Sequence, residues 1–131
     1  MKTTRVKRFE ITLFVGGIDE KVKQIICLRA LSNSVQQFQE FYGVIYPIRI
    51  QEVTYVSGMT YRESGFSLTV AALDWINART DHKSLQDFMG KLAEHLLHDL
   101  NQTRVCVSDE FNKSMTTFYN EDLEVFNECE V

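Results

Sequence analysis

The stretch DHKSLQDFMGKLAEHLLHDLN, residues 81–101, carries a stripe of apolar side chains at helical spacing. These side chains recur every three or four residues over about four and a half turns, so the stretch predicts an amphipathic helix with one buried face. Ser84 and Asp87 resemble a capping box at its start. The helix must therefore lie on an apolar surface formed elsewhere in the chain. The stripe consists of Leu85, Phe88, Met89, Leu92, Ala93, Leu96, Leu97 and Leu100.

Alternating segments on both sides of this helix predict the strands that form that surface. RFEITLFVGG (8–17) alternates apolar and polar side chains and ends at two glycines. TRVCVSDEF (103–111) and SMTTFY (114–119) predict a short hairpin. The longest pair, IRIQEVTYVS (48–57) and YRESGFSLTVAAL (61–73), predicts two antiparallel strands joined by a tight turn.

A second helix is predicted before the long hairpin. The spacing of Val35, Phe38, Phe41 and Tyr42 is helical, and Gly43 is typical of a helix C-terminus. A serine, either Ser32 or Ser34, is the expected N-cap. The preceding residues, 20–30, fit a helix or a second strand that returns through the GGIDEK turn, and we favour the strand.

The order of these elements predicts the fold class. Strand, helix, hairpin, helix and strand form a β-α-β-β-α-β pattern with additional edge strands. We predict one α+β domain over residues 1–131, with two helices packed on one face of an antiparallel sheet of five to six strands and a ferredoxin-like core. The opposite face is then left to solvent, to a ligand or to a second copy. We favour the second copy and predict a homo-oligomer.

Composition excludes several classes of protein. The formal charge of −4 over 131 residues argues against binding a nucleic-acid polymer, which needs a concentrated basic face. Three cysteines without a C-x-x-C pair are typical of a reduced, cytoplasmic protein. A membrane span needs about 20 consecutive apolar residues, and the chain has no such run.

Charge is distributed unevenly between the two termini. Residues 1–8 are basic, whereas the tail formed by residues 120–131 is acidic and contains no basic residue. Attraction between the two termini together with solubility explains this pattern, and a charge-complementary docking surface is the alternative.

The long hairpin contains the first candidate functional residues. A shift in its alternation at Glu52 predicts a β-bulge. With that bulge, alternation places Thr54 and Val56 on the open face of the sheet together with Tyr61 and Glu63. Neighbouring strand residues point to opposite faces, so Arg62 and Glu63 cannot form a catalytic pair. Arg62 is instead expected to face Glu52 or an anionic ligand, and Gly65 is expected to allow a bulge or the close approach of another backbone.

The polar segment DWINARTDHKS (74–84) leads into the long helix and supplies the other candidates. Helix N-terminal amides with nearby basic side chains and an aromatic ring can bind a phosphate or a nucleotide. Arg104, just past the helix, is added for its charge. We predict a site for a small anionic ligand with no cofactor, although the chain contains neither common nucleotide-binding glycine motif. The predicted ligand-binding residues are Tyr61, Arg62, Trp75, Asn77, Arg79, Thr80 and Arg104.

Metal and nucleophile chemistry have weaker support in the sequence. His95 and His98 are three residues apart without an evident third ligand, so we predict a solvated helix face and no metal. No G-x-S-x-G motif is present, and we predict no catalytic residue. His82 is the base of the enzyme alternative.

Three segments carry a resemblance to known proteins: RFEITLFVG, VTYVSGMTYRESGF and the long helix running into LNQTRVCV. Together they resemble small bacterial and phage proteins of unknown function with a ferredoxin-like core. Size, acidic balance and the helix-flanked sheet are similar to phage anti-defence proteins that sequester nucleotide signals as oligomers, including the Thoeris anti-defence sponges. The resemblance implies a phage accessory protein in the host cytoplasm that binds without cleaving, and it transfers no site residue.

The main functional prediction is therefore a non-enzymatic, oligomeric protein that sequesters a small anionic, nucleotide-like ligand. One alternative is an inhibitor that binds another protein through its sheet face and acidic tail. The other is a small acid–base enzyme centred on His82.

Overall fold

A computed structural model describes residues 1–3, 10–43, 46–59, 61–71 and 82–123. The long strands form a five-stranded antiparallel sheet in the order β4-β5-β1-β6-β7, and β2 and β3 form a separate two-stranded ladder. The elements are β1 (Glu10–Gly16), β2 (Ile18–Asp19), β3 (Gln24–Ile25), α1 (Leu28–Tyr42), β4 (Ile48–Ser57), β5 (Tyr61–Ala71), α2 (His82–Asp99), β6 (Arg104–Asp109), β7 (Ser114–Tyr119) and a 3-10 turn (Glu121–Leu123).

The core lies between this sheet and the two helices. Leu13 on β1 is opposite Leu68 on β5 and Val107 on β6, which forms one apolar row across three strands. All eight stripe residues are buried, seven on α2 and Leu100 just after it, and they join that row in one cluster with Leu31, Val35 and Phe38 of α1. The prediction of an α+β fold with two helices on one face of an antiparallel sheet is confirmed.

Both helices begin earlier than predicted. α1 begins at Leu28, after Cys27 at the N-cap, and ends at Gly43, whose φ of 84° is the left-handed conformation that glycine adopts readily. Ser34 lies inside α1 and is buried, so it is not a cap. α2 begins at His82, so the predicted capping box at Ser84 is also wrong. Serine is a common cap, but here tertiary contacts hold Ser34 within the helix.

The region between β1 and α1 is a short hairpin. β2 and β3 are two residues each and pair with each other, so the favoured second strand exists only as this small ladder. Ile26 is buried, whereas Leu28, the first residue of α1, is exposed.

The long hairpin has no bulge. Its register runs without interruption from Ile48 opposite Val70 to Ser57 opposite Tyr61, so the predicted bulge at Glu52 is wrong. Thr54 and Val56 consequently share a face with Ile48 and Ile50, and Tyr55 takes the opposite face.

The same register separates the side chains of a predicted pair. Arg62 is opposite Val56, whereas Glu52 is opposite Phe66, so these two charged residues are not cross-strand partners.

Among the described residues, no helix is long and apolar enough to cross a membrane.

Candidate active site

Two aromatic rings lie on the sheet face opposite α1 and α2, which we call the open face. Phe14 on β1 and Tyr55 on β4 have ring centroids 6.4 Å apart at 67°, an edge-to-face contact. Strand β5 runs between the two strands that carry them. Neither α1 nor α2 covers the open face, which therefore presents an aromatic pair.

Glycines lie next to this aromatic pair. On β5, Gly65 is opposite Gly16 of β1 and Val53 of β4, so two positions beside the rings have no side chain. A Cβ at Gly65 would lie 2.5 Å from the carbonyl oxygen of Val15, which confirms that glycine is needed here for close backbone approach. Two neighbouring positions at the foot of the rings therefore carry no side chain, and Gly65 itself is buried.

The surroundings of Tyr55 keep its phenol protonated. Partial burial raises the pKa of Tyr55 above its usual value of 10.0, and the charges of Glu63 and Cys106 raise this pKa further. Glu63 is the cross-strand partner of Tyr55, and Cys106 is that of Phe14. At neutral pH the hydroxyl can therefore donate a hydrogen bond, while Glu63 provides a carboxylate on the same face.

This arrangement is suited to a cationic ligand. The negative faces of aromatic rings attract cations, and a nearby carboxylate adds to that attraction. Flat rings can also stack with a nucleobase. Phe14, Tyr55 and Glu63 thus combine the contacts that a positively charged nucleoside needs.

The structure distributes the predicted ligand residues over both faces. Arg104 is exposed and lies on the open face, two residues from Cys106 on β6. The backbone of Tyr61 is opposite Ser57, at a position of the same parity as Glu63. Arg62 is exposed and has the opposite parity, so it lies on the other side of β5. Trp75, Asn77, Arg79 and Thr80 lie outside the described residues.

A second polar cluster lies where α2 begins. Nε2 of His82 is 2.6 Å from Oδ2 of Asp109, and Gln86 donates to the same oxygen at 3.0 Å. The His82 ring also packs on Phe111 with centroids 4.7 Å apart. The side chains of His82 and Asp109 are both largely buried, at 14% and 5% exposure. A carboxylate that orients an imidazole is the arrangement used in general acid–base catalysis.

A third cluster joins α1 to α2 and does not form a nucleophilic triad. Nε2 of His95 is 3.1 Å from Oγ of Ser34 and 3.2 Å from its carbonyl oxygen. Ser34 donates its hydroxyl proton to Asp99. In a working triad the serine gives its proton to the histidine, and the aspartate holds the other ring nitrogen. These three residues therefore join α1 to α2 through hydrogen bonds.

Metal binding has no support in the described part of the chain. Its residues contain no group of three or more histidine, cysteine or acidic side chains that could hold an ion. His98 is 57% exposed and lies 3.8 Å from Asp122. This agrees with its predicted place on a solvated helix face, whereas His95 is partly buried against α1.

Phe14 and Tyr55 are candidate site residues that the sequence pattern did not predict. The predicted bulge had reversed the parity of β4 beyond Glu52, which removed Tyr55 from the open face. Asp109 was also missed, although it had a recognisable signal. It continues the buried alternation of Val105 and Val107, and a carboxylate at such a position requires a partner.

No protein-family model matches the chain, and no curated protein matches it. Solved structures do share its fold. A phage SAM lyase in complex with S-methyl-5'-thioadenosine superimposes with a TM-score of 0.63 at 14% identity, covering 92% of this chain and 96% of the other. A phage SAM lyase in the apo state gives a TM-score of 0.59 at 13% identity, covering 92% and 98%. Identities this low show a shared fold.

These neighbours correct the main functional prediction. Both are named as lyases, which contradicts a non-enzymatic sequestering protein and agrees better with the enzyme alternative. Their phage origin agrees with the broader part of the resemblance to phage proteins. The resemblance to the Thoeris anti-defence type is not confirmed by these neighbours.

Proposed function

We propose that the chain is an enzyme that cleaves S-adenosylmethionine (SAM), or a closely related adenosyl sulfonium compound, and releases S-methyl-5'-thioadenosine. The shared fold supports this proposal because it extends over nearly the whole of both chains. The observation that carries it is the Phe14–Tyr55 ring pair beside Glu63 on the open face. The rings can stack with the flat adenine base, and the rings and Glu63 can attract the positively charged sulfur.

The reaction can be written so that atoms and electrons balance. In SAM the sulfur bears a positive charge and three carbon substituents. When the bond to the amino-acid side chain breaks, its electron pair stays on sulfur and leaves a neutral thioether. The carbon fragment then either loses a proton to a base or is captured by its own carboxylate oxygen.

The open face offers contacts for two of the three charged groups of such a substrate, the sulfonium and the carboxylate. The rings and Glu63 would hold the sulfonium, while Arg104 would hold the substrate carboxylate. Their strands, β5 and β6, are separated by β1 and therefore lie about 10 Å apart across the sheet. The predicted anion-binding role of Arg104 thus becomes the binding of one group, the substrate carboxylate. Tyr61 and Trp75 remain proposed stacking contacts.

His82 defines a second candidate centre. If the carbon fragment loses a proton, a base is required, and the His82–Asp109 pair at 2.6 Å has the geometry of an oriented imidazole. Asp109 has the parity of Val107, on the helix-covered face. The two centres are therefore on opposite sides of the sheet, and mutation can distinguish them.

Mass spectrometry of a reaction mixture tests the proposal. Purified protein incubated with SAM should form S-methyl-5'-thioadenosine. Tyr55→Ala should reduce kcat/KM about tenfold or more, because a cation–π contact is lost. His82→Ala should leave the rate within about threefold if the open face is the active site. Phe41→Ala is the matched control, since Phe41 is 93% exposed on α1.

Two results would contradict parts of this proposal. A folded wild-type protein that forms no thioether product from SAM would refute the function. Full activity in Tyr55→Ala together with loss in His82→Ala would move the active centre to α2. Circular dichroism of each variant shows that it is folded.

A further inference from the structure

Resting on the proposed function, we propose that Glu63 is a specificity-determining residue: its carboxylate makes the open face prefer a cationic adenosyl compound over the neutral thioether of the same shape. The cleaved product has lost the positive charge, so this preference would also favour release of product over substrate.

The position of Glu63 supports this role. It is directly opposite Tyr55 on the neighbouring strand, and both residues are exposed on the open face. Cross-strand partners have Cβ atoms about 5 Å apart, so the carboxylate lies beside the phenol ring. A cation that packs on this ring is thus within reach of the carboxylate.

Among the described residues, the carboxylate directly opposite Tyr55 is that of Glu63. Arg49 and Glu10 are 3.9 Å apart and largely offset each other's charge near the start of β4. Arg104 lies on β6, beyond β1, and its charge faces a different part of the ligand. Tyr55 is neutral at neutral pH.

Attraction to Glu63 applies only to a ligand that carries positive charge at the sulfur position. A neutral thioether keeps the adenine and amino-acid contacts but gains nothing from the carboxylate. Glu63 is exposed, so the attraction is partly screened by solvent and should weaken as salt is added. A moderate, salt-dependent preference is therefore expected.

Calorimetric titration with two uncleaved ligands measures this preference. Sinefungin carries an ammonium where SAM has its sulfonium, and S-adenosylhomocysteine carries a neutral sulfur. Wild type should bind sinefungin more tightly, and Glu63→Gln should reduce the ratio of the two affinities about fivefold. Raising the salt from about 50 mM to about 500 mM should reduce the wild-type ratio in the same direction.

Two variants serve as controls. Glu63→Asp keeps the charge and should retain most of the preference. Glu10→Gln removes a carboxylate from the same face next to Arg49 and should leave the ratio within about twofold.

The outcomes separate this inference from the proposed function. If wild type cleaves SAM but Glu63→Gln keeps the full preference, the inference fails alone. It also fails if Glu63→Gln weakens both ligands equally, which would indicate a structural role. If wild type neither cleaves SAM nor binds either ligand, the proposed function fails and the inference fails with it.

Discussion

Asp109 shows how burial changes the contribution of a carboxylate to the stability of the fold. Its side chain is 5% exposed, and it accepts hydrogen bonds from Gln86 and from the backbone amide of Asn112 while it pairs with His82. Asp122 also pairs with a histidine, His98, but its side chain is 85% exposed. The described part of the chain thus contains a buried and an exposed version of the same Asp–His contact.

We expect the two pairs to differ in their contribution to stability. Asp109→Asn should lower the free energy of unfolding by about 2–4 kcal/mol, because a buried charged partner and its hydrogen bonds are weakened. Asp122→Asn should change it by less than about 0.5 kcal/mol, since water already solvates that carboxylate. Urea unfolding followed by circular dichroism measures both. Equal effects of the two substitutions would contradict this account.

At the scale of elements, the β2–β3 hairpin is held to the turn between α2 and β6. Oδ1 of Asp19 accepts from the amides of Lys21 and Val22, and its Oδ2 accepts from the side chain of Asn101. The amide of Glu20 also donates to the carbonyl of Asn101 at 3.0 Å. A single carboxylate therefore organises its own turn and joins it to a distant one.

This contact should depend on pH. Although burial raises the pKa of Asp19, hydrogen bonds from Asn101, Val22 and Lys21 lower it more, and the net value is below 3.8. The charged form therefore stabilises the fold above the unfolded pKa, and this contribution is lost as the pH falls through the folded pKa. Asp19→Ala should cost about 1 kcal/mol at pH 7 and less at pH 3, where the unfolded carboxylate is already protonated in part.

Urea unfolding at the two pH values checks this prediction. Glu20→Ala is the control in the same turn, because Glu20 pairs with Lys23, whose side chain is 61% exposed. It should have little effect at either pH. A loss in Asp19→Ala that stays constant between pH 7 and pH 3 would refute the electrostatic explanation.

The whole molecule is organised around one core. A single cluster of buried side chains includes residues of both helices and of β1, β5 and β6, so sheet and helices have no separate interiors. Leu92 lies within this cluster with no exposed surface. The helical layer and the sheet should therefore unfold together.

Removing a central side chain tests this cooperativity. Leu92→Ala should lower the free energy of unfolding by about 3 kcal/mol, through lost burial and the cavity left behind. Its thermal midpoint should fall equally in far-UV and near-UV circular dichroism. Phe41→Ala, on the exposed side of α1, should move neither midpoint by more than about 2 °C. Separate transitions for helix and tertiary signals would contradict a single core.

The candidate site was less predictable than the fold. The parity of Tyr55 depends on whether β4 contains a bulge, and the local alternation around Glu52 gave the wrong answer. Of the predicted ligand residues whose side chains the structure describes, Arg104 lies on the open face, whereas Arg62 lies on the other side of β5. The sequence predicts a strand around Phe14 but not its contact with Tyr55, because the two rings meet across β5.

The sequence by itself determined the helical stripe of α2, the alternation of the strands and hence the two-layer α+β fold, because periodicity is a property of neighbouring residues. Only the tertiary structure decided that Ser34 joins two helices, that Asp109 meets His82 and that Tyr55 meets Phe14. These contacts depend on strand register and on residues far apart in the chain. Short-range patterns carry no information about such pairings, which follow from the packing of the whole chain.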